Sequence, residues 1–162
     1  MLRAIIGVIV GYALMAILVV ITLYIAYSAM GSDGTFRPGT CEITLPWLLI
    51  SLVLGLIAAI VGGLACAVIA EQPSKAPLVL AAIVLLLGAI MAIPAVSASA
   101  DEPAKLRQGD LSFVQAREDA REPLSAVLLR PVVGCLGVLI GWRLRGPGDT
   151  SPKPLPANHD PQ

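Results

Sequence analysis

Arg130 is the residue whose position has the clearest chemical consequence, because apolar residues surround it on both sides. If this segment crosses a bilayer, a guanidinium near its middle costs about 2.5–3.5 kcal/mol on insertion scales. Pro131 follows directly and has no backbone N–H, so it frees the carbonyl of Val127 and favours a kink there. A guanidinium with five N–H donors and a freed carbonyl are natural partners.

Two interpretations of Arg130 follow from these residues. In the one the sequence favours, a short or tilted helix lets Arg130 reach the outer headgroups on its long apolar stem. In the alternative, Arg130 lines a polar cavity and attracts an anion or a lipid headgroup. No Asp or Glu lies within an apolar segment, so in this alternative the polar site would be built from hydrogen-bonding side chains at comparable depth. These residues are Arg130, Tyr12, Ser51 and Thr22.

The other residue types with catalytic or metal-binding potential do not form a set. The chain has three cysteines (Cys41, Cys66 and Cys135), which cannot all pair, and one histidine, His159. A metal site needs three or four ligands. The formal net charge of zero gives no reason to expect a nucleic-acid partner. We therefore expect no enzymatic activity, no cofactor and no metal.

Four apolar stretches, 4–30, 46–70, 77–97 and 123–142, take up most of the 162 residues. About 20 apolar residues in a helix cross a hydrocarbon core. The chain is 57% hydrophobic and 14% charged, with a mean hydropathy of +0.85, against roughly 45–50% and 25% in soluble domains. Aromatic residues suited to the headgroup level lie near helix ends at Tyr24, Tyr27, Trp47 and Trp142. The pattern predicts an all-α integral membrane protein, a four-transmembrane-helix bundle.

The longest polar connection is 98–122, which carries ten of the 22 acidic and basic residues. Ser112 and Gln115 match a capping box and predict a short helix before the fourth span. We expect this helix to lie on the bilayer surface, with partner docking or gating as the alternative. Residues 1–145 then form one membrane domain, and the proline-rich tail 146–162 is expected to be disordered.

Small residues recur at four-residue spacing in several of the helices, which permits close backbone approach in lipid. The predicted packing residues are Gly7, Gly11, Gly55, Ala59, Gly63, Gly137 and Gly141. Helix 2 carries a second such row at Ala58, Gly62, Cys66 and Ala70. With two small faces, helix 2 is predicted to be the centre of the bundle. A dedicated dimer face is the alternative.

The basic residues outside the spans do not decide the orientation by number alone. The terminal side has Arg3, Lys75, Arg143, Arg145 and Lys153, and the other side has Arg37, Lys105, Arg107, Arg117 and Arg121. Arg3, Arg143 and Arg145 lie closest to the membrane, where the positive-inside rule has most weight. Both termini are therefore predicted to be cytoplasmic. The balanced count also leaves a dual-topology protein open.

These observations favour a small protein of a bacterial inner (cytoplasmic) membrane with a structural or accessory role. The prediction of a bacterial source rests on composition, since alanine, leucine, glycine and proline dominate while lysine is scarce. The expected partners are the lipid bilayer and either a second copy of the chain or another membrane protein. The alternative function is a small oligomeric transporter or channel, with Arg130 in an anion or lipid-headgroup pathway.

Overall fold

A computed structural model describes residues 2–70, 75–98, 109 and 111–145, with the backbone alone for 94–98. Five helices occupy these residues: α1 (Leu2–Thr35), α2 (Leu45–Ala70), α3 (Ala76–Ala98), α4 (Phe113–Asp119) and α5 (Leu124–Leu144). Helices α1, α2, α3 and α5 are long and apolar enough to cross a membrane. The predicted all-α membrane fold is therefore confirmed. The predictions for the tail 146–162, for the turn 71–74 and for most of 98–110 lie outside the described residues.

The helix ends lie close to the positions predicted from turn and capping residues. The first helix breaks at Gly31, whose φ of 67° suits glycine, and one further helical turn leads to Thr35. The Thr35 hydroxyl donates to the carbonyl of Gly31 at 2.8 Å. The predicted capping box of α4 is present, with Ser112 and Gln115 satisfying each other's backbone amides. Local sequence signals therefore account for these boundaries.

Helix α2 lies between α1 and α5, and α5 in turn packs against α3. The face of α2 that carries Gly62 and Cys66 contacts the GxxxG motif of α1. A Cβ added at Gly11 would lie 2.8 Å from the carbonyl oxygen of Gly62, and one added at Gly7 would lie 3.0 Å from that of Cys66. Side chains at these glycines would therefore force α1 and α2 apart.

The opposite small face of α2 contacts α5. A Cβ at Gly137 would lie 2.6 Å from the Cβ of Ala59, while Cβ atoms at Gly63 and Gly141 would collide with the backbone of Val138 and Ile60. Gly55 differs from the prediction, because a Cβ there would meet no atom of the described residues within 4 Å. It is the one residue of the predicted packing set that faces open space.

A cap formed by residues 32–44 and 111–123 covers one end of the bundle, opposite the end where α1 begins and α5 ends. Backbone hydrogen bonds join its two segments: the Arg121 amide donates to Cys41, and the Ile43 amide donates to Arg121. The Tyr27 hydroxyl of α1 donates to the carbonyl of Leu111 at 2.6 Å. The cap therefore ties the loop after α1 to the segment that precedes α5.

Among the described residues, buried side chains form two clusters rather than one continuous core. One lies toward the end where α1 begins and includes Cys66, Leu80 and Val138, each 0% exposed. The second, the cap cluster, comprises Tyr27, Phe36, Ile43, Trp47 and Ala116.

The placement of Tyr27 and Trp47 in this cluster corrects their prediction as interface anchors. They are 8% and 7% exposed, and their rings meet edge to face at 6.1 Å. Although both lie at helix ends, the cap covers them.

Candidate functional site

A cavity of about 790 Å³ lies between the two buried clusters. Its walls come from the four long helices and its roof from the cap. Each long helix contributes apolar or small residues, among them Val19 and Leu23 of α1, Gly55 and Ala59 of α2, Val84 and Gly88 of α3, and Val127 and Val133 of α5. The volume falls within the roughly 300–1,000 Å³ of small-molecule sites.

The cavity has an open side next to α3. Met91 lines the cavity and is 74% exposed. Helices α1 and α3 make few contacts with each other compared with α1 and α2 or α3 and α5. A molecule in the surrounding lipid could therefore enter sideways past Met91, a flexible side chain that adapts to what it contacts.

Arg130 projects into this cavity and forms an ion pair with Glu122. The Nη1 atom lies 2.6 Å from Glu122 Oε1. Side chains of a helix lean toward its N-terminus, and Glu122 precedes the first residue of α5 by two positions. The long stem of Arg130 can therefore reach back toward the cap, where its charge is compensated. The side chains of Arg130 and Glu122 are 41% and 17% exposed, so the pair is partly accessible.

Ser51 of α2 provides a second, longer contact to Arg130. The Ser51 hydroxyl donates to the carbonyl of Leu48 at 2.9 Å and accepts from Arg130 Nη2 at 3.4 Å. Ser51 is buried, so its hydroxyl needs a partner inside the protein. The contact links α2 to α5 at the polar end of the cavity.

The structure thus brings together two of the four residues predicted for an intramembrane polar site, Arg130 and Ser51. Thr22 instead donates to the carbonyl of Leu18 in its own helix at 2.7 Å. Tyr12 is 38% exposed. Neither is among the residues that line the cavity. Both face away because α1 presents Met15, Val19 and Leu23 to the cavity.

Glu122, the main partner of Arg130, was not predicted because it lies in a polar connection, outside the apolar segments. A usable signal was present in the sequence. Glu122 lies directly before Pro123, which starts the predicted fourth span, and the side chains of that helix lean in its direction.

The roof of the cavity carries equal numbers of acidic and basic side chains. These are Arg117, Glu118, Asp119, Arg121, Glu122 and Arg130. The cavity therefore combines apolar walls with a roof that carries both signs of charge.

The described residues contain no group of three or more His, Cys, Asp or Glu that could hold a metal ion. Cys41, Cys66 and Cys135 are all free thiols. No model of a known protein family matches the sequence, and no curated protein or solved structure shows significant similarity to it.

Proposed function

We propose that this is a non-enzymatic, multi-pass protein of a bacterial cytoplasmic membrane that binds a lipid-like amphiphile in its cavity. The observation that carries the proposal is the cavity itself, with apolar walls at the depth of the spans and a charged roof at the cap. An accessory role, in which the protein holds or presents a lipid to another membrane component, fits these features.

Transport of an amphiphile or anion is the second candidate, favoured by the position of Arg130 inside the cavity. Two features support binding over conduction. Leu80 and Val138 fill the bundle on the side of the termini and are fully buried. Arg130 is already neutralised by Glu122, which lowers its attraction for a free anion. The proposal therefore places a retained ligand in the cavity, entering from the side.

The test of the proposal fills the cavity without disturbing the helix contacts. We expect Gly55→Leu to fold normally, because a Cβ at this position meets nothing within 4 Å and the side chain extends into empty space. Loss of a glycine from a helix interior should even stabilise α2 by up to about 1 kcal/mol. The same side chain should block ligand binding, since it occupies space that an acyl chain would fill.

Trp47 lines the cavity and can report on occupancy. In a Trp142→Phe background it is the single tryptophan of the chain, which has two. Purified protein in detergent would be titrated with a phospholipid brominated on its acyl chain, which quenches nearby tryptophan. We expect saturable quenching that Gly55→Leu weakens by about tenfold or more, equivalent to about 1.4 kcal/mol.

Val53→Leu is the matched control, because it lies on the same helix and is exposed on the bundle surface. It should leave the quenching curve unchanged. Equal quenching in the parent protein and in Gly55→Leu would mean that the lipid contacts only the outside of the bundle, and would overturn the proposal.

A separate prediction concerns orientation. We expect both termini in the cytoplasm and the cap on the opposite face, because Arg3, Arg143 and Arg145 lie at the terminal end of the spans. Fusions of a reporter active only outside the cytoplasm, placed after Gly109 and after Gln162, measure this directly. The first should be active and the second inactive. Activity at Gln162 alone would reverse the orientation, and activity at both positions would indicate dual topology.

A further inference from the structure

We infer that the cavity selects a zwitterionic phospholipid, whose headgroup carries one phosphate and one ammonium group. This inference rests on the proposed function and names the chemical class of its ligand. It comes from the charge balance of the cavity roof and from the geometry of the Arg130–Glu122 pair.

The pair leaves binding capacity for both signs of charge. Within the described part of the chain, the contacts to Glu122 and Ser51 use two of the five N–H donors of Arg130. The remaining donors can bind phosphate oxygens in the planar geometry that suits arginine. The 2.6 Å contact to Arg130 uses Oε1 of Glu122, and the second carboxylate oxygen can accept from an ammonium group. The two halves of a zwitterionic headgroup thus have complementary partners side by side.

Charge balance disfavours the other headgroup classes. With Arg130 and Glu122 paired, the site is neutral before the ligand enters. An anionic headgroup would add an uncompensated negative charge next to Glu122, whose side chain is only 17% exposed, and such a charge is costly away from water. An uncharged headgroup would enter without that penalty, but it would leave the charged groups of the roof without new partners. A zwitterion keeps the site neutral and contacts both signs.

The apolar walls of the cavity can accommodate an acyl chain of such a lipid. Val19 and Leu23 on one side and Val84 and Met91 on the other form apolar walls that continue from the roof toward the middle of the spans. Because the cavity is open beside Met91, a second acyl chain can remain in the surrounding bilayer. The bound headgroup would then lie at the cap, at the same depth as the headgroups of the lipids in the adjacent leaflet.

The experiment is a competition assay on the full chain, using Trp47 quenched by a bound brominated phospholipid. The competitors carry identical unbrominated acyl chains and differ in the headgroup: phosphatidylethanolamine, phosphatidylcholine, phosphatidylglycerol and diacylglycerol. We expect the two zwitterionic lipids to restore fluorescence at concentrations about tenfold lower than the anionic and uncharged lipids. Equal potency of all four would overturn the inference while leaving the proposed function intact.

Glu122→Gln provides a second, independent test of the same inference. The substitution removes the negative charge and leaves Arg130 uncompensated, so the preference should shift from zwitterionic to anionic lipid. Val114→Gln, on an exposed position of α4, is the control and should not change the order of potency. An unchanged order of lipid potency in Glu122→Gln would show that the Arg130–Glu122 pair does not determine headgroup selectivity. Absence of saturable quenching in the parent protein would instead overturn the proposed function itself.

Discussion

Replacing Gly63 by leucine should cause the largest loss of stability of any single substitution considered for this bundle. A Cβ at Gly63 would collide with the carbonyl of Val138 and lie 2.7 Å from its Cα atom. The obstacle is backbone, which cannot move aside without displacing all of α5. Overpacking in a core typically costs about 1–3 kcal/mol, and we expect the upper end or more here. Helices α2 and α5 would separate, and because both helices line the cavity, its walls would move apart as well.

Gly55→Leu is the matched control, since it makes the same change two turns earlier on the same helix and meets no neighbour. Val79→Leu on α3 is a second control, because Val79 is half exposed on the bundle surface and its replacement should change stability by less than about 0.5 kcal/mol. Thermal unfolding in a mild detergent, followed by circular dichroism, compares the three variants. If Gly63→Leu unfolds at the same temperature as Gly55→Leu, the close contact between α2 and α5 does not hold the bundle together.

The spacing of small residues along α2 predicts which of its faces contact neighbouring helices. Two rows on one helix, each with four-residue spacing, predict two close neighbours, and Gly62 and Gly63 indeed face α1 and α5. The choice of neighbour for each row could not be predicted, because a row of small residues accepts any helix that presents a complementary surface. Gly88 of α3, whose added Cβ would lie 2.7 Å from the ring of Pro131, is followed at this spacing only by Ala92, and one such pair is too short a row to predict a contact.

The cavity could not be predicted, because it depends on how the two ends of the bundle are held. Toward the termini, small residues bring the helices together; at the cap, Tyr27, Trp47 and Phe113 pack edge to face. Large rings pack at one end and small residues at the other, and the cavity lies between these two packed regions. The position of Trp47 at a helix start predicts an interface residue, because its burial depends on residues distant in sequence, such as Tyr27 and Ala116.

The ion pair provides the second large effect, which a double-mutant cycle can isolate. Glu122→Gln leaves the Arg130 charge uncompensated, and Arg130→Met leaves the Glu122 carboxylate beside an apolar side chain. Each single substitution should destabilise the bundle, because an unpaired charge then lies against the apolar cavity. The double variant should lose less than the sum of the two, since it leaves no charge behind. The measurement is thermal or denaturant unfolding of the four proteins in the same detergent.

The expected size follows from the partial exposure of the pair. Exposed ion pairs contribute roughly 0.2–1 kcal/mol, whereas removing one partner of a buried pair costs about 3–5 kcal/mol. With side chains 41% and 17% exposed, the Arg130–Glu122 coupling energy should lie between these limits.

Arg130→Lys separates the ion pair from the contact to Ser51. An ammonium group can pair with Glu122 but cannot extend a planar fork to Ser51 at the same time. It should therefore recover most of the stability while weakening lipid binding. If the effects of Glu122→Gln and Arg130→Met on stability are strictly additive, this account is contradicted. Water or lipid headgroups, rather than Glu122, would then stabilise the charge of Arg130 in the membrane.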